Sequence, residues 1–226
     1  MTNYQIEEAV TRLRAALQAG SATDRMNTAM AAGTRPQDAY IEVLVERFAV
    51  EPDFFVRDML TWALINHDRT LTLERVIPEL TSDVPQARAQ ALHTVSKLGD
   101  QRAWPAITTE HLTDADDQVA LTAWRASAAL VPEGEGPALA EVLATQFGRG
   151  DAATQLGLSR ALAALGDAAT PVIERAKKHR NPAVRTHAIA TEKLIADPDI
   201  GFDVALAAAR RTVALRGAPL VDHLND

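Results

Sequence analysis

The sequence predicts an all-α fold, an α-solenoid (superhelix) of about five helical hairpins with a helical cap at each end. A helical segment recurs at intervals of roughly 30 to 35 residues, a spacing typical of stacked helical repeats. No segment alternates polar and apolar residues as a half-buried strand does, so we expect no sheet. The corresponding positions of the five repeats are Val56, Ala87, Val119, Thr154 and Val184.

Each predicted repeat has a first helix, a short turn and a second helix. Four of the first helices carry a proline near the start or inside the first turns, where a helix tolerates it or bends. The turns are rich in Asp, Asn, Gly and Pro. Two second-helix segments, "DVPQARAQALHTVSKLGD" (83–100) and "GDAATQLGLSRALAALGD" (150–167), end in the same Leu-Gly-Asp. The prolines of the first helices are Pro78, Pro105, Pro137 and Pro171.

We interpret the chain as a single domain, 1–226. Residues 1–34 are predicted to form two N-terminal cap helices, with Ser21 as the N-cap of the second. The repeats follow over 35–199, and 200–216 is predicted to be a C-terminal cap helix. Such end segments cover the apolar ends of a solenoid. The last ten residues, 217–226, show no clear periodicity and are interpreted as a tail.

The turn and the start of several second helices share a motif in which arginine follows a turn acid or amide. It occurs as Pro52-Asp53…Val56-Arg57, Asp83…Ala87-Arg88 and Asn181-Pro182…Val184-Arg185. With this motif the chain resembles the HEAT-repeat superfamily, in particular its PBS-lyase HEAT-like type. It also resembles a group of stand-alone actinobacterial HEAT-repeat proteins without an assigned activity.

The HEAT resemblance implies that the arginines of this motif bond neighbouring turns and are therefore structural. A ladder of ligand-binding arginines is the alternative. Repeats three and four depart from the pattern, since they carry Ala120 and Gln155 where arginine is expected.

Composition excludes several functional classes. The chain has no cysteine, which excludes disulfides, thiol catalysis and cysteine-based metal sites. Its net charge of -7 argues against a broad nucleic-acid-binding surface, so we expect no nucleic-acid partner. No apolar run is long enough to span a membrane, and no signal peptide is visible, so we expect a cytoplasmic protein with no membrane partner. We find no catalytic, metal or phosphate-loop motif and predict no cofactor.

One tryptophan is out of place for an isolated amphipathic helix. Val56, Leu60 and Leu64 recur at helical spacing and define a buried stripe. At 100° per residue Trp62 falls off that stripe, beside Asp58 one turn earlier. Packing against the N-terminal helices is one explanation, and a place on the wall of a groove is the other.

Superposing the repeats extends this outward column from one second helix to the next. Because second helices line the concave face of a solenoid, we expect the column to form one groove. The candidate groove residues are Asp58, Trp62, Gln90, His93, Arg125 and Arg160. Other tryptophans and histidines are predicted to be plain packing (Trp104, Trp124) or surface residues (His67, His111, His179, His223).

These observations favour a non-enzymatic scaffold whose groove binds a protein or peptide partner that the sequence does not identify. Aromatic and arginine side chains are common at interaction hot spots. The alternative is a DNA-binding solenoid similar to the alkylpurine DNA glycosylases, which hold damaged DNA with an aspartate and tryptophans on a concave face. In that interpretation Asp58 and Trp62 stabilise a cationic base, and Arg125 and Arg160 contact phosphates.

Overall fold

A computed structural model describes residues 2–216 of the chain. Over these residues it contains α-helices and short 3₁₀ turns and no strand. The predicted all-α, α-solenoid class is confirmed. The predicted tail, 217–226 with His223, lies outside the described residues. The helices are α1 (Asn3–Ala16), α2 (Ala22–Thr34), α3 (Tyr40–Glu46), α4 (Phe54–Ile65), α5 (Arg69–Val76), α6 (Pro85–Leu98), α7 (Thr109–Leu112), α8 (Asp117–Leu130), α9 (Gly136–Ala144), α10 (Ala152–Ala164), α11 (Thr170–Ala176), α12 (Pro182–Ala196) and α13 (Phe202–Arg216).

The five predicted hairpins are the pairs α3–α4, α5–α6, α7–α8, α9–α10 and α11–α12. The second helices are regular, whereas the first helices are short and several adjoin 3₁₀ turns. The third is the most broken: a 3₁₀ turn, Gln101–Ala106, precedes the four-residue α7. Pro105 lies inside this 3₁₀ turn, where it has no N–H to donate.

The described chain divides into two compact units, which meet in sequence between Pro132 and Glu133. In the first unit α2, α4, α6 and α8 pack side by side, and α1, α3 and α5 pack in sequence. In the second unit α10 packs on α12 and α12 on α13, while α9 packs on α11. The single domain 1–226 stays a prediction.

Small aliphatic side chains make the core, as the alanine-rich composition suggests. Val56, Leu60 and Leu64 are buried, which confirms the predicted stripe, and Leu92 of α6 and Leu162 of α10 are completely buried as well. Trp124 is also completely buried, and its indole N–H donates to the carbonyl of Leu112 at 2.8 Å. Its predicted role in packing is therefore confirmed.

The turn arginines are structural. The Nη1 group of Arg57 donates to the carbonyls of Glu51 and Pro52, both at 2.9 Å. Arg185 bonds the carbonyls of His179 and Arg180 in the same way, both at 2.8 Å. Each arginine stands four residues after the N-cap, so its side chain reaches back over the turn that begins the helix.

Two further residues use this position. Arg88 donates to the carbonyl of Ser82 at 2.8 Å and also pairs with Asp114 in the turn before α8, at 2.9 Å. Arg25, four residues after the N-cap Ser21, bonds the carbonyls of Ala19 and Gly20. The cap helices α1 and α2 are thus built like a repeat. The sequence analysis did not predict this, although the spacing from Ser21 to Arg25 is the same as in the repeats.

A completely buried carboxylate, Glu51, joins the first repeat to the cap helices. Arg25 binds it with two parallel hydrogen bonds, both 2.8 Å, and Arg47 donates to it at 2.9 Å. The backbone N–H of Asp53 donates to it at 3.0 Å. These hydrogen bonds outweigh the cost of burial and lower the pKa of Glu51, so the group is ionised at neutral pH.

In each unit a buried polar side chain bridges two neighbouring second helices, an arrangement that we name the clasp. In the first, the Gln90 amide donates to the carbonyl of Arg57 at 2.9 Å and to the hydroxyl of Thr61 at 2.7 Å. In the second, His187 Nε2 bonds the carbonyl of Gln155 at 2.9 Å and the hydroxyl of Ser159 at 3.1 Å.

The Nδ1 atom of His187 accepts the backbone N–H of Gly148 at 3.0 Å, so the proton of the neutral ring is on Nε2. The ring is buried against Phe147 and Phe202. This burial lowers the pKa of His187 to about 4.

Two of the four histidines predicted to lie on the surface are buried, and that prediction is wrong for them. His111 accepts the backbone N–H of Thr108 and bonds the carbonyl of Leu80 at 2.9 Å. His67 Nδ1 bonds the carbonyl of Ala63 at 2.8 Å. Both rings satisfy backbone groups beside short helices, a contact that periodicity does not reveal. His179 is exposed as predicted.

Replacing Glu51 with Gln is expected to destabilise the protein by about 3–5 kcal/mol, because two arginines lose their buried counter-charge. Urea unfolding at neutral pH measures the loss. The matched control is Glu46→Gln, which removes a partly exposed partner of Arg14 and should cost less than about 1 kcal/mol. Equal losses in the two variants would show that the buried cluster has no special role.

The buried imidazole of His187 makes stability depend on pH. Its folded pKa of about 4 lies below the unfolded value, so the unfolded chain binds the proton first as the pH falls. The contribution, about 3 kcal/mol, is complete above about pH 6.5 and is lost progressively towards about pH 4. Urea unfolding across that range should show this loss for the wild type and for His179→Gln. It should be smaller for His187→Gln, and an unchanged pH dependence in that variant would contradict the assignment.

Candidate functional site

The second helices of the first unit line a cleft of about 420 Å³, which we name the first-unit cleft. Because α4, α6 and α8 are consecutive second helices, their outward positions meet on one face. The lining residues are Phe54, Arg57, Asp58, Pro85, Gln86, Ala89, Gln90, His93, Asp116, Gln118, Leu121, Thr122 and Arg125.

Three of the predicted groove residues, Asp58, His93 and Arg125, line this cleft. Asp58 is exposed, and its Oδ1 lies 3.4 Å from His93 Nε2. Arg125 is exposed on α8 and has no hydrogen bond or ion pair within residues 2–216. Burial lowers the pKa of His93 and outweighs the opposing effect of Asp58.

Gln90 also lines the cleft, but its predicted outward position is wrong. The side chain is only 7% exposed, and its amide is committed to the clasp between α4 and α6. Gln90 lies at the contact between α4 and α6. The way two helices cross decides which residues lie at such a contact, and the period of a single helix does not. Its amide N–H groups therefore stabilise the wall of the cleft.

Trp62 packs against the N-terminal helices, which was the first of the two explanations that the sequence left open. Its six-membered ring lies directly against Gly33 of α2, where an added β-carbon would come within 2.6 Å of Trp62 Cζ3. The residue remains 38% exposed, so α2 covers it only in part. In the described part of the chain Trp62 is not among the residues lining the first-unit cleft. Its part in a groove stays a prediction.

Arg160 belongs to the second unit, on α10. It is exposed and lines a separate pocket made by α10, the end of α12 and the start of α13. Its predicted membership of one groove with the residues of the first unit stays a prediction.

The sequence reading missed an aromatic pair at the start of α4. Phe54 and Phe55 are 65% and 70% exposed, and their rings meet edge to face at 5.6 Å. Phe54 lines the cleft, and the Arg57 guanidinium lies 5.9 Å from the centre of its ring. Both phenylalanines fall outside the apolar stripe of α4, which was the available signal.

Over residues 2–216 no group of three or more His, Cys, Asp or Glu side chains is arranged to hold a metal ion. No helix in that range is long and apolar enough to cross a membrane.

No protein-family model matches the chain, and no curated protein matches it. Among solved structures it is similar to an engineered protein, at 20% identity and a TM-score of 0.48, over 92% of this chain and 97% of the other. It is also similar to Kap121p and to a triple mutant of Kap121p. Each of these matches has 14% identity and a TM-score of 0.42, over 95% of this chain and 29% of the other.

The charges around His93 give a test of the cleft geometry. Asp58→Asn should lower the pKa of His93 further, because the carboxylate favours the charged imidazole. Lys97→Gln should raise it, because the ammonium of Lys97 disfavours that charge. Titration of the His93 ring by NMR measures both. Shifts of the same sign in the two variants would contradict the described arrangement.

Proposed function

We propose that this chain is a non-enzymatic binding protein that holds a segment of a protein partner in the first-unit cleft. The observation that carries the proposal is the composition of that cleft. Three consecutive second helices bring an exposed aromatic ring, an arginine with no hydrogen bond or ion pair within residues 2–216 and a carboxylate–imidazole pair to one concavity of about 420 Å³. That volume is in the range of binding pockets, about 300–1,000 Å³.

The lining suits a peptide segment because it offers both apolar and polar contacts. Phe54, Pro85 and Leu121 provide an apolar surface for an anchoring side chain. Arg125 is available for a carboxylate of the partner, since a guanidinium binds carboxylates with two parallel hydrogen bonds. The exposed side-chain amide of Gln118 has no hydrogen bond within residues 2–216 and is available for a peptide backbone group.

The structural polar groups support a preformed site. The side chains of Gln86 and Gln90 are already bonded to backbone carbonyls of the preceding repeat. A site whose walls are fixed loses less conformational entropy on binding.

We further propose that the hairpins are HEAT-like repeats of the PBS-lyase type and that the protein is cytoplasmic. Support for the repeat type comes from the arginine four residues after the N-cap, which bonds turn carbonyls at Arg57, Arg88 and Arg185. The proposed location is supported by the sequence, since a chain without cysteine fits a reducing compartment.

Selection from a displayed peptide library tests the proposed function. Peptides bound by the wild type should lose about tenfold or more in affinity with Phe54→Ala or Arg125→Gln. Phe55→Ala is the matched control, because this ring is equally exposed but does not line the cleft. All three variants should retain the wild-type melting temperature within a few degrees, since each residue is exposed.

The nucleic-acid alternative is tested in parallel by titrating double-stranded and single-stranded DNA. If the wild type selects no peptide but binds DNA in a way that needs Arg125, the proposed function is wrong. Equal losses of peptide affinity in Phe54→Ala and Phe55→Ala would place the binding surface outside the cleft.

A further inference from the structure

The second unit contains a pocket of about 440 Å³, which we name the second-unit pocket. It lies between α10, the last turn of α12 and the loop that leads into α13. This location is independent of the first-unit cleft and of the function proposed for it. The lining residues are Leu156, Arg160, Ala163, Leu194, Ile195, Pro198, Ile200, Gly201 and Phe202.

The lining is apolar except for one charge. Among the lining residues that the structure describes, only Arg160 has a polar side-chain atom, and it has no hydrogen bond or ion pair within residues 2–216. Leu194 and Ile200 are only partly buried, and Ile195 is 42% exposed. Apolar side chains gathered beside a concavity, and not scattered singly, mark a binding surface.

We propose that this pocket binds a small amphiphilic carboxylate of the fatty-acid class. The carboxylate pairs with the Arg160 guanidinium, which accommodates two parallel hydrogen bonds to such a group. The alkyl chain then covers Leu156, Leu194 and Ile200, and removal of this apolar surface from water favours binding. One cation and an otherwise apolar lining complement one anion on an otherwise apolar ligand.

The same lining disfavours a peptide. A peptide brings an N–H and a carbonyl at almost every residue, and each loses free energy when buried without a partner. Apart from Arg160 no lining side chain can donate or accept. The loop backbone adds few donors: the N–H groups of Asp199 and Ile200 already bond Asp197 and Pro198 has none, which leaves the N–H groups of Gly201 and Phe202 at the start of α13. An alkyl chain has no N–H or carbonyl group that needs a hydrogen-bond partner.

Calorimetric titration of the full chain with decanoate, below the concentration at which it forms micelles, tests the proposal. We expect saturable binding with one site per chain. Arg160→Gln should weaken it about tenfold or more, and decanol should bind the wild type correspondingly weakly. Arg125→Gln is the matched control: it removes another exposed arginine without a described partner, from the other unit, and should leave the affinity unchanged.

A second variant tests the apolar half of the site. Ala163→Phe places a ring in the pocket without changing any charge and should abolish decanoate binding, while circular dichroism shows that the chain remains folded. Absence of saturable decanoate binding to the wild type would overturn the proposal. So would equal weakening by Arg160→Gln and Arg125→Gln, or tighter binding of a peptide with an aliphatic C-terminal residue than of decanoate. Because Phe54 and the first-unit cleft take no part, failure here leaves the peptide experiment unaffected.

Discussion

The buried carboxylate of Glu51 is the interaction on which the start of the repeat array depends. Its side chain accepts hydrogen bonds from α2, from the 3₁₀ turn after α3 and from the turn before α4. Its backbone carbonyl accepts from Arg57 and from Gln86 of α6. An unpaired charge at this depth would be very costly, so these elements must assemble together. The position of α4, and hence of Phe54 and Asp58, follows from that requirement.

The repeats satisfy the backbone carbonyls at the start of their second helices in one recurring way. Carbonyls in the turn before each second helix need donors, and the side chain four residues after the N-cap supplies them at Arg25, Arg57, Arg88 and Arg185. Gln155 does the same more weakly, bonding the carbonyl of Gly150 at 3.2 Å. The guanidinium groups of these arginines are already hydrogen-bonded to the turns. Arginines that are available to bind a ligand therefore lie at other positions of the helices.

The two concavities differ in chemistry although both are lined by second helices. The first-unit cleft presents both signs of charge, an amide and an aromatic ring, which suits the backbone and side chains of a peptide. The second-unit pocket presents one arginine against aliphatic side chains. The difference comes from the residues that follow α12: a loop containing Pro198 and Ile200 and then α13 bring apolar groups over the end of α10.

The sequence by itself determined the all-α class, the five hairpins and the buried stripe of α4 through Leu60 and Leu64. The stripe follows from apolar spacing within one helix, and the hairpins follow from the recurrence of such segments along the chain. The structural role of the turn arginines was implied by the HEAT resemblance, and the structure shows it in their bonds to turn carbonyls. Tertiary structure alone decided that Gln90 is buried in a clasp, that Trp62 rests on Gly33 and that Arg160 faces an apolar pocket. Each of these depends on which residue of a neighbouring helix lies opposite, and the pattern of a single helix does not contain that information.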